Sequence, residues 1–326
     1  MDLSIIICCF NGKSHLLPTL EYIAKQQYDA NLEVELIFVD NASTDGSAIF
    51  VQKVWKELHP NIALRIVREE EPGLIHARRC GVRTARGKYI VFCDDDNWLR
   101  EDYIQTAYEL MEQMPNVGVL GGQSVLAPGI EAPNWWAEQQ GNYAVGKQLP
   151  QLGIANDRGF LYGAGMVTRA NLARIIFNEH YPFLLTGRKG NQCLSGEDGE
   201  YCWRAMIAGY DLYYSEKLFY YHDVAQNRLT DEQLRKLLQS FEMGKEISEK
   251  YHYAMHYSKT PAINHVKWLL IRVFNYLTAQ PKYKDRKRQL LHYHACICGV
   301  GKKDRELEVI RGYINYAQPN KMNRWI

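Results

Sequence analysis

Three consecutive carboxylates, Asp94, Asp95 and Asp96, follow an apolar run in the stretch GKYIVFCDDDNW. Adjacent carboxylates at the end of a buried strand repel one another. The stretch is therefore either a solvated acidic turn or the seat of a cation. A hard divalent ion such as Mg2+ or Mn2+ takes one or two carboxylates together with substrate phosphates. Extended backbone would turn Asp94 and Asp96 to one side and Asp95 to the other. A second acidic pair, Glu197 and Asp198, opens GEDGEYCWRAMIAGY. Acids in the first turn of a helix complement its dipole, and a carboxylate at the mouth of a cleft can also serve as a general base. His222 closes LFYYH. It is structural unless its strand delivers it beside Asp96, where it becomes a candidate metal ligand. In VDNASTDGS, Asp40, Asn41, Ser43 and Thr44 can cap the next helix. Asp40, at the strand end itself, could also accept a hydrogen bond from a nucleobase.

These residues need a frame. Ser4–Phe10, Val34–Asp40, Leu64–Glu69, Tyr89–Asp94 and Val117–Val125 are unbroken, β-branched runs of strand length. Between them, Ser14–Gln27, Asp45–Leu58, Leu74–Ala85 and Glu101–Met114 carry helical apolar spacing and polar starts. Such alternation predicts a mostly parallel α/β sheet flanked by helices. Ligands bind such sheets beyond the carboxyl ends of the strands, where FNG, VDNASTDGS, REEEPG and CDDDN all fall. From Leu126 to Gly159 the chain is loop-like and holds Trp135 and Trp136. FLYGAGMVTR and DLYYSEKLFYYH read as further strands, ANLARIIFNEH as a helix, and Thr186–Gly196 as a Gly-rich connection. After Thr230 the pattern is helical, with breaks near Pro261, Pro281 and Gly299–Gly301. The expected division is residues 1–225 as a nucleotide-binding unit (1–125 for the nucleotide, 126–225 for the acceptor) and 226–326 as a helical C-terminal region.

The rest of the composition narrows the field. The 326 residues are 46% hydrophobic and 23% charged, enough for a sizeable core, and the net charge of +2 does not call for a nucleic-acid partner. The eight cysteines show no CxxC pair, and Cys296 and Cys298 look too isolated for zinc, which needs four ligands. The start MDLSIIICCF has no basic leader, so a reducing cytoplasm is the expected compartment. No GxxxxGK[ST] or GxGxxG is present, which excludes a P-loop NTPase and a Rossmann dehydrogenase. A sugar nucleotidyltransferase would need a Gly-rich basic loop after the first strand, where CCFNGKSH has one Gly and one Lys. An inactive scaffold on the same frame would have shed the acids that are present here.

Taken in order, SIIICCFNG, VDNASTDGS, GLIHARRCGVRTARGKYIVFCDDDN and GEDGEYCWRAMIAGY resemble the family 2 glycosyltransferases of GT-A fold over Ser4 to His222. The resemblance implies an inverting transfer of sugar from a nucleoside-diphosphate donor, UDP by family frequency, to a hydroxyl of a glycan or lipid-linked acceptor. It implies that Phe10, Asn11 and Asp40 cradle the base. Asp94 and Asp96 match the Asp-x-Asp pair. Asp96 is the expected direct ligand of Mn2+ or Mg2+, and Asp95 the partner of the donor ribose. Asp198 matches the catalytic base, paired with Glu197, and His222 a histidine that contacts metal or diphosphate. Arg78 falls in the element usually written Ala-Arg-Asn, which here reads Ala77-Arg78-Arg79. The Gly-rich connection is an expected lid.

The acceptor side is less explicit. Trp135 and Trp136 could stack on a sugar ring or belong to a core. Ile263 to Ile326 holds 13 Lys/Arg against 4 Asp/Glu. This basic region either packs on the sheet with its charges in solvent, or lies on an anionic membrane through VKWLLIRVFNYL and KYKDRKRQ, with the enzyme peripheral at the inner face.

Overall fold

The computed structural model describes residues 1–318 except 59, 190, 191, 259 and 261. Its strands are β1 (Leu3–Cys9), β2 (Val34–Asn41), β3 (Ala63–Glu69), β4 (Tyr89–Asp94), β5 (Asn97–Leu99), β6 (Val117–Leu126), β7 (Gly153–Ile154), β8 (Met166–Arg169), β9 (Gly187–Lys189), β10 (Gln192–Leu194) and β11 (Asp211–His222). The helices are α1 (Leu16–Ala24), α2 (Ser47–Leu58), α3 (Leu74–Thr84), α4 (Tyr103–Gln113), α5 (Trp136–Gln139), α6 (Ala170–Ile176), α7 (Glu197–Ile207), α8 (Asp231–Ser258), α9 (Ala262–Leu277), α10 (Pro281–Ile297) and α11 (Arg305–Ala317).

A nine-stranded sheet runs β3-β2-β1-β4-β8-β6-β11-β5, with β7 on β11. Alternating residues of one strand serve opposite layers. Ile5 and Ile7 pack with α1, α2 and α4, whereas Ile6 packs with α3, α6 and α7. Both faces are covered, which is why β1 and β2 read as continuous apolar runs.

The sheet is parallel through β3, β2, β1 and β4, then turns mixed, because β8 inserts antiparallel between β4 and β6. β11 runs parallel to β6 and antiparallel to β5. That last pairing matters most for function. It sets His222 opposite Asn97, one residue past the acidic stretch.

Two expectations are corrected. Only Met166–Arg169 of FLYGAGMVTR is strand. The residues before it turn at Gly165, whose φ of +67° is in the left-handed region. The Gly-rich connection is largely a short antiparallel hairpin, β9 with β10. Its tip, Gly190 and Asn191, and the break expected at Pro261 lie outside the described residues.

The C-terminal helices extend the α7 layer. Tyr251, Leu307, Ile310, Tyr313 and Ile314 share one buried cluster with Tyr201, Trp203 and Ile6. Pro281 occupies the first turn of α10, where its missing N–H costs nothing. None of the described helices is long and apolar enough to cross a membrane.

Candidate active site

The strand register assembles the site. Cys9 at the end of β1 pairs with Asp40 of β2, and Cys8 pairs with Asp94 of β4. The ends of three parallel strands therefore deliver Phe10, Asn11, Asp40 and the Asp94–Asp96 stretch to one edge.

Each of the three adjacent carboxylates has its own basic neighbour. Asp94 Oδ1 lies 3.6 Å from Arg78 Nη2. Asp95 Oδ2 lies 3.4 Å from His15 Nε2. The two oxygens of Asp96 lie 3.4 Å from His222 Nε2 and 3.4 Å from Arg228 Nη1. The mutual repulsion apparent from the sequence is thus offset by partners within the chain.

The two outer acids titrate differently. Desolvation pushes the Asp94 carboxyl up, Arg78 opposes that, and Asp96 adds to it, leaving it at about 6. Desolvation also pushes Asp96 up, but His222 and Arg228 overcome it and hold the group at about 2. The hydrogen bond to Asp95 raises His15 above the ordinary histidine value. Thr19 Oγ1 donates to the Asp95 carbonyl at 2.8 Å and anchors the turn.

His222 is 5% exposed, and its Nδ1 is buried with no hydrogen-bond partner among the described residues. Buried polar atoms are normally satisfied, so Nδ1 has spare capacity, while Nε2 is the nitrogen that faces Asp96. An acidic oxygen pair and an imidazole at a strand edge form a donor set that suits a divalent cation.

Arg78 joins the acidic stretch to α7. Its side chain is 5% exposed, and Nη1 donates to Asp198 Oδ1 at 2.7 Å. The guanidinium also lies over the Phe92 ring. The other Asp198 oxygen accepts from the Gly163 backbone N–H at 2.8 Å. Glu197, beside it, is pushed up to about 7 by desolvation and then by the Asp198 charge. Arg79, where the sequence departs from Ala-Arg-Asn, turns instead to His76 and Glu179, so the departure does not alter the Arg78 contacts.

At the nucleotide end, Phe10 is 54% exposed, a large ring left open at the edge. Asn11 has a φ of +56° and spends its side chain on the Thr44 N–H, tying the loop after β1 to the loop after β2. Buried Asp40 accepts from Ser43 N and from Arg68 Nη1 at 2.8 Å. A carboxylate has lone pairs for further donors.

The tryptophan pair is corrected in part. Trp136 is buried in a small core with Tyr143, Val145, Val224 and Leu229, so it offers no open face to a sugar. Trp135 is half-buried, stacks on Tyr143 and donates from Nε1 to Asp231 at 2.7 Å. Tyr143 Oη in turn donates to the Arg228 carbonyl. The pair therefore braces the segment that brings Arg228 to Asp96.

Sequence reasoning missed His15 and Arg228, whereas Gly163 falls in FLYGAGMV, whose glycines permit close backbone approach to a pocket. His15 lies just before α1, and a helix start after β1 could have flagged it. Arg228, in a 3-10 turn after β11, carries no local signal.

Comparison with known proteins identifies the fold and the family. Glycosyltransferase GlyA of Streptococcus pneumoniae serotype 4 is 29% identical over 118 residues, 36% of this chain and 16% of that one. The chain thus spans well under half the length of the curated relatives it matches. The crystal structure of S. aureus TarS 1–349 in complex with UDP-GlcNAc superposes with a TM-score of 0.53 at 15% identity, covering 100% of this chain and 89% of that one. Mannosyltransferase PcManGT from Pyrobaculum calidifontis, in complex with GDP-Man and Mn2+, gives 0.52 at 16% identity, covering 98% and 86%. These likenesses establish the fold as that of GT-A glycosyltransferases. The family model "Glycosyl transferase family 2" matches residues 4–176, just over half of the sequence, and the chain belongs to that family.

Proposed function

We propose that the protein is an inverting glycosyltransferase. It moves a sugar from a nucleoside-diphosphate sugar, with UDP as the base carrier, to a hydroxyl of a glycan or lipid-linked acceptor. The observation that carries this reading is the Arg78 bridge. One buried guanidinium links Asp94 of the acidic strand end to Asp198 at the start of α7. The donor edge and a candidate base are thereby held in one rigid cluster. The solved relatives bound to UDP-GlcNAc and to GDP-Man with Mn2+ support the donor class. Residues 1–225 would carry the transfer and 226–326 would brace α7.

Phe10 and Asp40 would hold the base, with Asn11 fixing their loops, and Asp95 would take the ribose. Asp96 and His222, with Asp94 beside them, would hold Mn2+ or Mg2+, leaving other positions for diphosphate oxygens and water. Bound there, the cation would neutralise charge on the leaving diphosphate. Asp198 would take the acceptor proton as the hydroxyl attacks. Arg78 and the Gly163 N–H keep its carboxylate oriented. A single base with in-line displacement inverts the anomeric centre. A hydrolase would instead flank the bond with two carboxylates. The β9–β10 hairpin is a candidate cover over the donor.

A screen of nucleotide sugars with Mn2+ tests the reading. Release of a nucleoside diphosphate from at least one donor is expected. Release from none would favour the inactive scaffold.

Gly163 provides a sharper check. A Cβ there would sit 2.1 Å from Asp198 Oδ1. Gly163→Ala must displace that carboxylate, and misplacing a catalytic group by about 1 Å costs on the order of 100-fold. Turnover within a few-fold of wild type would show that Asp198 does not need this position.

We also propose that α9 and α10 rest on an anionic membrane. Ile263, Val266, Leu270, Phe274 and Leu277 form a helical stripe, each at least 64% exposed. Large exposed apolar faces mark contact sites. Exposed Lys267, Lys282, Lys284, Arg286 and Arg288 lie on and beside it. A second copy would oppose like charges across a two-fold axis, whereas anionic lipid complements them. Sedimentation with anionic vesicles at low salt should be strong in wild type and lost in a Leu270→Glu/Phe274→Glu variant. Absence of wild-type binding would overturn the idea.

A further inference from the structure

A separate cluster lies at the junction of α9 and α10, away from the transfer chemistry. His294 and Cys298 are one helical turn apart at the end of α10, and His265 faces them from α9. One ligand atom from each of the three can be chosen so that all lie within 4.8 Å of one another. Tetrahedral Zn2+, with bonds of about 2.0–2.3 Å, needs such atoms roughly 3.3–3.8 Å apart, a shift that side-chain rotation can supply.

We propose that His265, His294 and Cys298 bind one Zn2+, with water in the fourth position, and so clip α9 to α10. Two imidazoles and a thiolate suit Zn2+ rather than the Mg2+ or Mn2+ that carboxylates prefer. His294 is fully buried, with Nδ1 against Tyr253 Oη at 3.1 Å and Nε2 against the His265 carbonyl at 3.0 Å. Whichever nitrogen binds the ion, the other keeps a partner that fixes the ring. His265 Nδ1 is buried with no hydrogen-bond partner among the described residues, an expense that a bound ion would remove. On binding, the Cys298 thiol releases its proton to solvent and the thiolate bonds to the ion.

The clip also has a structural purpose. No described residue of α9 is buried, and α10 buries only Tyr293 and His294. A cross-link would reinforce a hairpin in which few side chains are fully buried. The sequence concealed this, because Cys298 looked isolated until the fold brought His265 to it.

Co2+ serves as the probe on the chelator-stripped full chain. One equivalent should produce a thiolate-to-cobalt charge-transfer band, displaced by Zn2+. The band should vanish in Cys298→Ser and in His265→Ala. It should persist in Asp96→Ala, and in Cys296→Ser, because the Cys296 thiol turns to the Lys302 carbonyl. Zn2+ affinity should fall in Cys298→Ser by more than the ~100-fold that second-sphere changes cost. No band in wild type, or an undiminished band in the near-isosteric Cys298→Ser, would overturn the proposal. Because Asp96→Ala removes donor binding and not this site, failure here is distinguishable from failure of the transfer mechanism.

Discussion

Asp198→Asn is expected to lower the transfer rate by about 10^2–10^4-fold, the usual worth of a positioned general base, while leaving donor KM little changed. The substitution conserves shape. Asn can still accept from the Gly163 N–H that now meets Asp198 Oδ2 at 2.8 Å. What it loses is the charge opposite Arg78 and the capacity to take a proton. A fall in kcat without a rise in donor KM is the signature of an interaction made in the transition state. The comparison variant is Glu197→Gln. Glu197, pushed up to about 7 by desolvation and then by the Asp198 charge, holds its proton to higher pH than an ordinary carboxyl and can act as a base only once that proton is lost. If Glu197→Gln is inactive and Asp198→Asn is not, the roles are reversed. A rate that keeps rising through pH 7 would point the same way.

Arg204→Ala is expected to destabilise the fold by about 3–5 kcal/mol, the range for removing one partner of a buried ion pair. Arg204 and Glu200 are both 0% exposed and meet at 2.7 Å. Arg204 also donates to the carbonyls of Ile176, Tyr181 and Pro182 and to Tyr251 Oη. Glu200 accepts from the N–H groups of Leu184 and Leu185 and from Tyr251 Oη. The guanidinium lies over the rings of Phe183 and Tyr313. This network fastens α7, whose first turn carries Glu197 and Asp198, to α8 and α11. Without Arg204 a buried carboxylate is left uncompensated. Urea unfolding at neutral pH measures the loss. A Glu200→Gln/Arg204→Met double variant should recover part of it, since replacing a whole buried pair is less costly than breaking one. A loss under about 1 kcal/mol would mean that water or a rearranged carboxylate compensates, and that α7 is held by apolar packing alone.

The donor half was legible because its signals are local. Apolar runs ending in polar clusters mark buried parallel strands, and the order of those ends put Asp40 and Asp94–Asp96 on one edge. Asp198 was legible as an acid at a helix start. What remained hidden depends on pairing between distant segments. The resemblance named His222, but the pairing that brings it to Asp96, β11 antiparallel to β5, is stated by no residue in LFYYH. His15 and Arg228 lie against carboxylates of the acidic stretch, and each sits in a segment of ordinary composition. The two tryptophans could have been platform or core, and burial of Trp136 is a property of the fold around it. FLYGAGMVTR shows the reverse error. Its apolar content suggests a long strand, but the Gly163 N–H is turned to Asp198 and Gly165 adopts a left-handed turn. The basic C-terminal region looked ambiguous because its helices divide the work. α8 and α11 bury aromatic residues against α7, while α9 leaves its apolar stripe open.

The most direct test of the central claim is thermal unfolding of the full chain with UDP or GDP, in the presence and absence of Mn2+, for wild type and Asp96→Ala. With nucleotide at a hundred times its Kd, wild type should gain about 2.7 kcal/mol of stability, seen as a raised Tm. Removing Mn2+ or replacing Asp96 should abolish most of that gain. Equal stabilisation without metal, equal stabilisation of Asp96→Ala, or no response to either nucleotide would contradict a nucleoside-diphosphate site built on Asp96.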